Sequence, residues 1–150
     1  MRGVNPTAGA IVCTPIGHVE GRFQEYAPSD EMRLHPSRIV VRPELAPGLM
    51  GLAPGQQILV LFHFHRAQGY ELQLHPRHDP ARPLRGVFAT RSQYRPNGIG
   101  ATVARILAVE GNVLTVAGLD AQDGSPVLDI KPYAAGFDEP GEKGGRGRGT

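Results

Sequence analysis

The apolar positions of this chain recur with the period of strands, and helical periodicity is scarce. Ala10 to Val19, Ser37 to Arg42, Gln57 to His65 and Leu84 to Arg91 read as four successive strands; Gly100 to Val109 and Val113 to Leu119 complete the set. The run Ile58-Leu59-Val60-Leu61-Phe62-His63-Phe64-His65 is apolar on both faces at first and alternates only at its end. That is the pattern of a central strand whose end emerges at a polar site. Glu110-Gly111-Asn112 separates two apolar runs as a turn, so Ala101–Leu119 reads as a hairpin. Pro36, Pro43, Pro47, Pro54, Pro76, Pro80 and Pro83 break any long helix and leave room for short ones near Pro43–Leu52. A sheet with so little helix to cover its edges hides them best by closure. The expected fold is therefore mainly β, a single closed or partly open antiparallel β-barrel with short helices.

The pattern fades at both ends. Residues 1–9 are polar with Gly and Pro and are expected to be flexible, residues 10–138 to form the barrel domain, and residues 139–150 to be a disordered Gly/Arg tail. A length of 150 residues suits one domain. A fold of that size buries roughly 70% of the surface its unfolded chain exposes, without disulfide or metal staples. The single Cys13 excludes an internal disulfide and any multi-thiolate zinc site. No apolar run approaches the roughly 20 residues of a membrane span, and the first residues lack a signal-peptide core, so a cytoplasmic protein is expected.

Charge sharpens this picture. The net charge is only +2, but fourteen of the sixteen cations are Arg. From Arg66 to Arg105 there are seven Arg against Glu71 and Asp79; from Ile106 to Glu139 there are six acids against Lys131. If the two segments pack together they neutralise one another, and if they face apart they leave a basic surface suited to a polyanion.

Two constellations carry candidate chemistry. In Gly86-Val87-Phe88-Ala89-Thr90-Arg91-Ser92-Gln93-Tyr94-Arg95-Pro96-Asn97-Gly98-Ile99-Gly100 an apolar strand runs into Arg91, then a turn holds Arg95, Pro96 and Asn97. Glycines that permit close backbone approach follow. Anion binding is one reading; a surface turn whose arginines pair with Asp120 or Asp129 is the other. The second constellation, Gly118 to Tyr133, contains the turn Asp123-Gly124-Ser125-Pro126 and then Asp129, an acid between Leu128 and Ile130 that needs a partner or a role. His63 and His65 alternate onto one strand face, but no carboxylate or cysteine spacing matches a metal pattern, and no metal site is expected. His65-Arg66 at the strand end remains of interest. The absence of GxSxG, GxxxxGK[ST], HExxH and GxGxxG removes the usual support for hydrolase, NTPase, metalloprotease and Rossmann readings.

The segment Gly86 to Asn97 resembles the signature of the TsaA-like family, whose characterised branch is the TrmO-type tRNA methyltransferases. Gly118-Leu119-Asp120, Asp123 to Pro126 and Asp129-Ile130-Lys131-Pro132-Tyr133 resemble its second signature, and Gly48-Leu49-Met50-Gly51-Leu52 its middle. The resemblance spans about Ile16 to Asp138 and looks like a short form without the extra C-terminal domain of longer members. It implies a β-barrel methyltransferase unlike the Rossmann class, a homodimer using S-adenosyl-L-methionine on tRNA. The substrate so implied is threonylcarbamoyl-adenosine beside the anticodon, methylated on its exocyclic nitrogen. Carried over by motif, cofactor contacts fall on His65, Arg66, Arg91, Ala101, Val127, Leu128, Asp129 and Ile130. Arg95, Asn97, Lys131 and Tyr133 are candidates for substrate handling, and no general base is assigned. Gly98 replaces the family's usual Pro, Ser125 its common Thr, and Gly21–Ser37 lacks the Pro-Arg-Gln found near there. The alternative reading is a small-molecule methyltransferase or a non-catalytic S-adenosyl-L-methionine-binding protein.

Overall fold

The structure is a computed structural model that describes residues 2–5, 8–25 and 27–141. Of the tail expected from residue 139, positions 142–150 lie outside the described residues. Six strands close into an antiparallel barrel: β1 (Gly17–Glu20), β2 (Ser37–Val41), β3 (Gln57–His63), β6 (Ile99–Glu110), β7 (Val113–Ala117) and β8 (Pro126–Pro132), in the order β1-β2-β7-β6-β3-β8. A separate two-stranded ribbon joins β4 (Gln73–Leu74) to β5 (Arg85–Gly86). Closure leaves the barrel no free edge, which is how so many short strands persist when the α-helices among the described residues are two single turns, α1 (Ser29–Met32) and α2 (Ala135–Asp138).

Alternation places the core. Ile58, Val60 and Phe62 of β3 point inward with Ala104 and Ile106 of β6, Ile39 and Val41 of β2, Leu114 and Val116 of β7, and Val127 of β8. The expected central strand is confirmed, for β3 pairs with β6 on one side and β8 on the other. Its outward residues Leu59, Leu61 and His63 are half-buried, which explains why both of its faces are apolar in sequence. The hairpin at Glu110-Gly111-Asn112 joins β6 to β7, and a 3-10 helix occupies Pro43–Leu49 where short helices were expected.

Three expectations change. The first strand begins at Gly17, not Ala10: residues 10–15 are exposed and belong to no strand, and the barrel pairing of β1 with β2 starts at Gly17↔Val41. The strand expected over Leu84–Arg91 is only Arg85–Gly86. Val87–Ala89 is a 3-10 turn, closed by the Thr90 N–H and hydroxyl, both donating to the Val87 carbonyl (3.0 and 2.8 Å). Finally, β8 was hidden in sequence between Pro126 and Pro132, and a bulge between Leu61 and Phe62 in its pairing with β3 sets Asp129 opposite Leu61 and Val127 opposite Phe62. In the stretch 1–9, Gly3 exchanges backbone hydrogen bonds with Tyr70 (2.9 Å each way), Arg2 lies 3.7 Å over the Tyr94 ring, and Asn5 Oδ1 accepts from the Asn97 N–H.

Candidate functional site

Register brings part of the predicted constellation into one row. Ala101 of β6 and Asp129 of β8 both pair with Leu61 of β3, so the three lie side by side across the outer face of the barrel. Arg91 joins the row by donating from Nη1 to the Ala101 carbonyl (2.7 Å). Asp129 finds the partner its apolar neighbours demanded. Its Oδ2 lies 2.7 Å from Lys131 Nζ, and Oδ1 accepts from the Ile130 N–H (2.9 Å). The hydrogen bond and charge of Asp129 raise the Lys131 pKa above its ordinary value. Neither Arg91 nor Arg95 pairs with Asp120 or Asp129. Asp120 instead accepts hydroxyl bonds from Ser29 and Thr102 and ties α1 to β6. The purely structural pairing considered for those arginines is thus absent.

His65 and Arg66 sit past the end of β3, beyond the row. Arg66 Nε donates to His65 Nε2 (3.3 Å), which assigns the ring proton to Nδ1, and that buried atom meets no partner among the described residues. Burial first, then the charges of Arg66 and His63, lower the His65 pKa from 6.5. His63 donates through Nδ1 to the Gly98 carbonyl (3.1 Å) and so braces the loop that carries Arg95 and Asn97. Arg95 staples that loop internally, donating from Nη1 to the carbonyls of Thr90 (2.9 Å) and Ser92 (3.2 Å). Asn97 turns it in the left-handed region at φ 68°, and Gly98 follows at φ 58°. A proline ring locks φ near −65°, so this turn cannot be the one a proline at 98 would make.

Tyr133 stands at the opposite end of β3, its N–H donating to the Gln57 carbonyl (3.1 Å). It lines a cleft of about 1040 Å³ that runs from Asp129 and Ile130 past Pro132 to the 3-10 helix, where Leu45, Leu49 and Met50 form an apolar wall. Arg105 and Gln57 add polar groups. The side chain of Val127 is wholly buried in the core and its carbonyl accepts from the Ile16 N–H (2.8 Å), so it has no side chain to offer a ligand. Leu128, at the bulge, and Ile130, opposite Val60 and packed against the core, are half-buried. Asp129 is where the row and the cleft meet.

Residues 23–139 match the sequence profile of the tRNA-methyltransferase O N-terminal domain. The chain belongs to the TrmO family. It is 37% identical over 136 residues to a probable S-adenosyl-L-methionine-binding protein of Pyrococcus abyssi, covering 85% of this chain and 71% of that protein. With the tRNA (adenine(37)-N6)-methyltransferase of Mus musculus it shares 38% over 146 residues, covering 89% of this chain and 33% of the mouse protein. The crystal structure of TrmO from Pseudomonas aeruginosa superposes with a TM-score of 0.68 at 31% identity, over 89% of this chain and 60% of that one. The chain thus spans a third of the mouse relative and under two thirds of the solved TrmO.

For this TrmO-family chain, sequence reading missed most of the cleft: Leu45, Met50 and Leu52 carry no polar signature, and Gln57 and Arg105 stand on separate strands that only the pairing of β3 with β6 brings together. The available signal was Gly48-Leu49-Met50-Gly51-Leu52, where a methionine between glycines is nine-tenths exposed on the structure's surface. Among the described residues no cluster of three or more His, Cys, Asp or Glu is placed to hold a metal.

Proposed function

We propose that this chain is an S-adenosyl-L-methionine-dependent tRNA methyltransferase that methylates the exocyclic nitrogen of threonylcarbamoyl-adenosine beside the anticodon, acting as a cytoplasmic homodimer. The observation that carries the reading is the row Arg91, Ala101, Leu61, Asp129, three of whose members, Arg91, Ala101 and Asp129, are positions that the family resemblance implies for cofactor contact, and which borders the cleft. The donor set suits an amino-acid-bearing nucleoside. A guanidinium complements a carboxylate, a carboxylate complements an ammonium, and an apolar cleft of this size accepts a ligand of nucleoside dimensions.

When bound, the cofactor supplies a sulfonium-activated methyl group, so the protein's part is alignment of donor and acceptor. Arg91 is positioned for this by the Ala101 carbonyl, which engages Nη1 and leaves its other N–H groups for a ligand. Asp129 is held by the Ile130 N–H and by Lys131, whose ammonium is its direct counter-ion. Tyr133, half-buried at the far end of the cleft, offers a ring face for a base and a hydroxyl for the modified group. The row lies on an outer surface, whereas tightly bound small ligands are mostly enclosed. A second copy covering it supplies the missing wall.

A second reading, a non-catalytic binder of S-adenosyl-L-methionine or a small-molecule methyltransferase, is favoured by the archaeal relatives, which are named only as probable S-adenosyl-L-methionine-binding proteins. Calorimetry with S-adenosyl-L-methionine tests what both readings share: saturable heat is expected, weakened in Arg91→Ala. No heat at millimolar cofactor overturns both. Methyl transfer to a small metabolite with tRNA inert moves the assignment to the second reading.

A further inference from the structure

We propose that the tip of the β4–β5 ribbon, residues 75–85, is an RNA-phosphate contact element carried by Arg77, Arg82 and Arg85, an inference that rests on the tRNA reading above. The ribbon lies outside the closed barrel. Nearly all of its tip is exposed, so packing gives no reason for its composition. That composition is three Arg and two His against Asp79 alone.

The tip is organised. His75 donates through Nδ1 to the Arg82 carbonyl (2.7 Å) and clips the loop shut, and Asp79 Oδ1 accepts from the Ala81 N–H (2.9 Å). Pro76, Pro80 and Pro83 further restrict the backbone, which reduces the entropy lost on binding. Arg77 and His78 both sit at positive φ (57° and 56°), strained for side chains other than glycine and more often found at functional sites.

Its charges are weakly satisfied. Arg77 reaches Asp30 only at 3.9 Å and Arg82 reaches Asp79 at 3.7 Å, both pairs exposed; Arg85 has no ion-pair partner among the described residues. No ion pair among the described residues joins the basic segment Arg66–Arg105 to the acidic segment Ile106–Glu139, so the basic surface is not neutralised by direct pairing. The neck of the ribbon leads straight into the site. Val87 N–H donates to the Leu72 carbonyl (2.9 Å), Glu71 N–H to the Tyr94 carbonyl (3.3 Å), and the His78 ring meets Tyr94 edge-on at 6.0 Å. A polyanion lying along the tip therefore continues onto the loop of Arg91, Arg95 and Asn97. Guanidinium forks engage carboxylate and phosphate alike, and it is the continuity of this preorganised loop with a site read as acting on tRNA that favours nucleic-acid phosphate over the carboxylates of an acidic protein.

The test is tRNA binding by the full chain over a salt series, for the wild type and for the triple variant Arg77→Ser, Arg82→Ser, Arg85→Ser, with cofactor calorimetry on both. The triple variant is expected to lose about tenfold or more in tRNA affinity near 0.1 M salt, with a log–log salt slope shallower by about two to three. Its cofactor affinity should be unchanged, and its methyl transfer should show a raised KM for tRNA with kcat preserved. Arg85→Ser alone, at a side chain with no hydrogen bond or ion pair among the described residues, should flatten the slope by about one and covers the case of a misfolded triple variant. Unchanged slope and affinity in the triple variant, with a wild type that methylates tRNA, overturn the inference and leave the tRNA reading intact. A slope lost with the arginines in a protein that transfers no methyl group supports the inference and overturns the reading. A wild type that does not bind tRNA overturns both, and capture of an acidic protein with tRNA ignored overturns the RNA assignment.

Discussion

Asp129 shows how far a single residue can be read. Flanked by Leu128 and Ile130, it demanded a partner, and the structure supplies Lys131 two positions on, across the same outer face. Because both side chains are about half exposed, the pair contributes little to stability. Asp129→Ala should therefore unfold within about 1 kcal/mol of the wild type while binding S-adenosyl-L-methionine at least several-fold more weakly. Equal cofactor affinity by calorimetry would make Asp129 merely the counter-ion of Lys131. His65 makes a prediction of the opposite kind. Its folded pKa lies below the unfolded 6.5, chiefly through burial, so the unfolded chain takes up the proton more readily. Its contribution is complete above about pH 6.5 and is lost as pH falls through the folded value. Thermal melts should show lower stability at acid pH than at neutral pH, with a smaller difference in His65→Asn; an identical pH profile in the variant would refute the assignment. At Gly98, an added Cβ would sit 3.2 Å from His63 Cε1 at a φ of 58°. Gly98→Ala should cost about 1 kcal/mol or more and loosen the His63 brace, visible as a Tm lowered by about 3 °C or more.

Among the elements, those with clean alternation were legible: β2, β3, β6 and β7 fall within a residue or two of where apolar periodicity puts them. The others were obscured by physical causes that alternation does not encode. Residues 10–15 have strand-like composition without a pairing partner, and the exposure of Ile11 and Val12, about nine-tenths each, shows that propensity without pairing makes no strand. At β8, prolines at both ends and a bulge inside disguised a strand as a turn and an apolar patch. The same bulge explains the partial success at the site. Ala101 and Asp129 belong together because register joins them through Leu61, with Arg91 bonded to the Ala101 carbonyl, and register across three strands is not written in any one of them. Closure of β1 onto β2 depends on Gly17. Its added Cβ would lie 2.2 Å from the Val40 carbonyl oxygen, a backbone atom that cannot swing aside. Gly17→Ala should therefore disrupt the β1–β2 edge and cost several kcal/mol, on the order of the larger single-site effects, measured by denaturant unfolding. A wild-type midpoint would mean that β1 is not held as described.

For the whole molecule, the barrel, its one-turn helices and its family follow from sequence and structure together, while the assembly and the substrate follow from the proposed reading. An outer-face row that a ligand cannot be enclosed by, together with exposed Ile11, Val12 and Met50, predicts a homodimer. Light scattering at tens of micromolar should give twice the 16.1 kDa of one chain; a monomer that still binds cofactor tightly would refute the shared pocket. The most direct measurement is transfer of labelled methyl from S-adenosyl-L-methionine to tRNA that carries threonylcarbamoyl-adenosine, compared with the same tRNA lacking it, followed by digestion to nucleosides. Label is expected in the modified adenosine alone, abolished or strongly reduced by Arg91→Ala. Label elsewhere in the tRNA, or none in either tRNA while the cofactor binds, would contradict it.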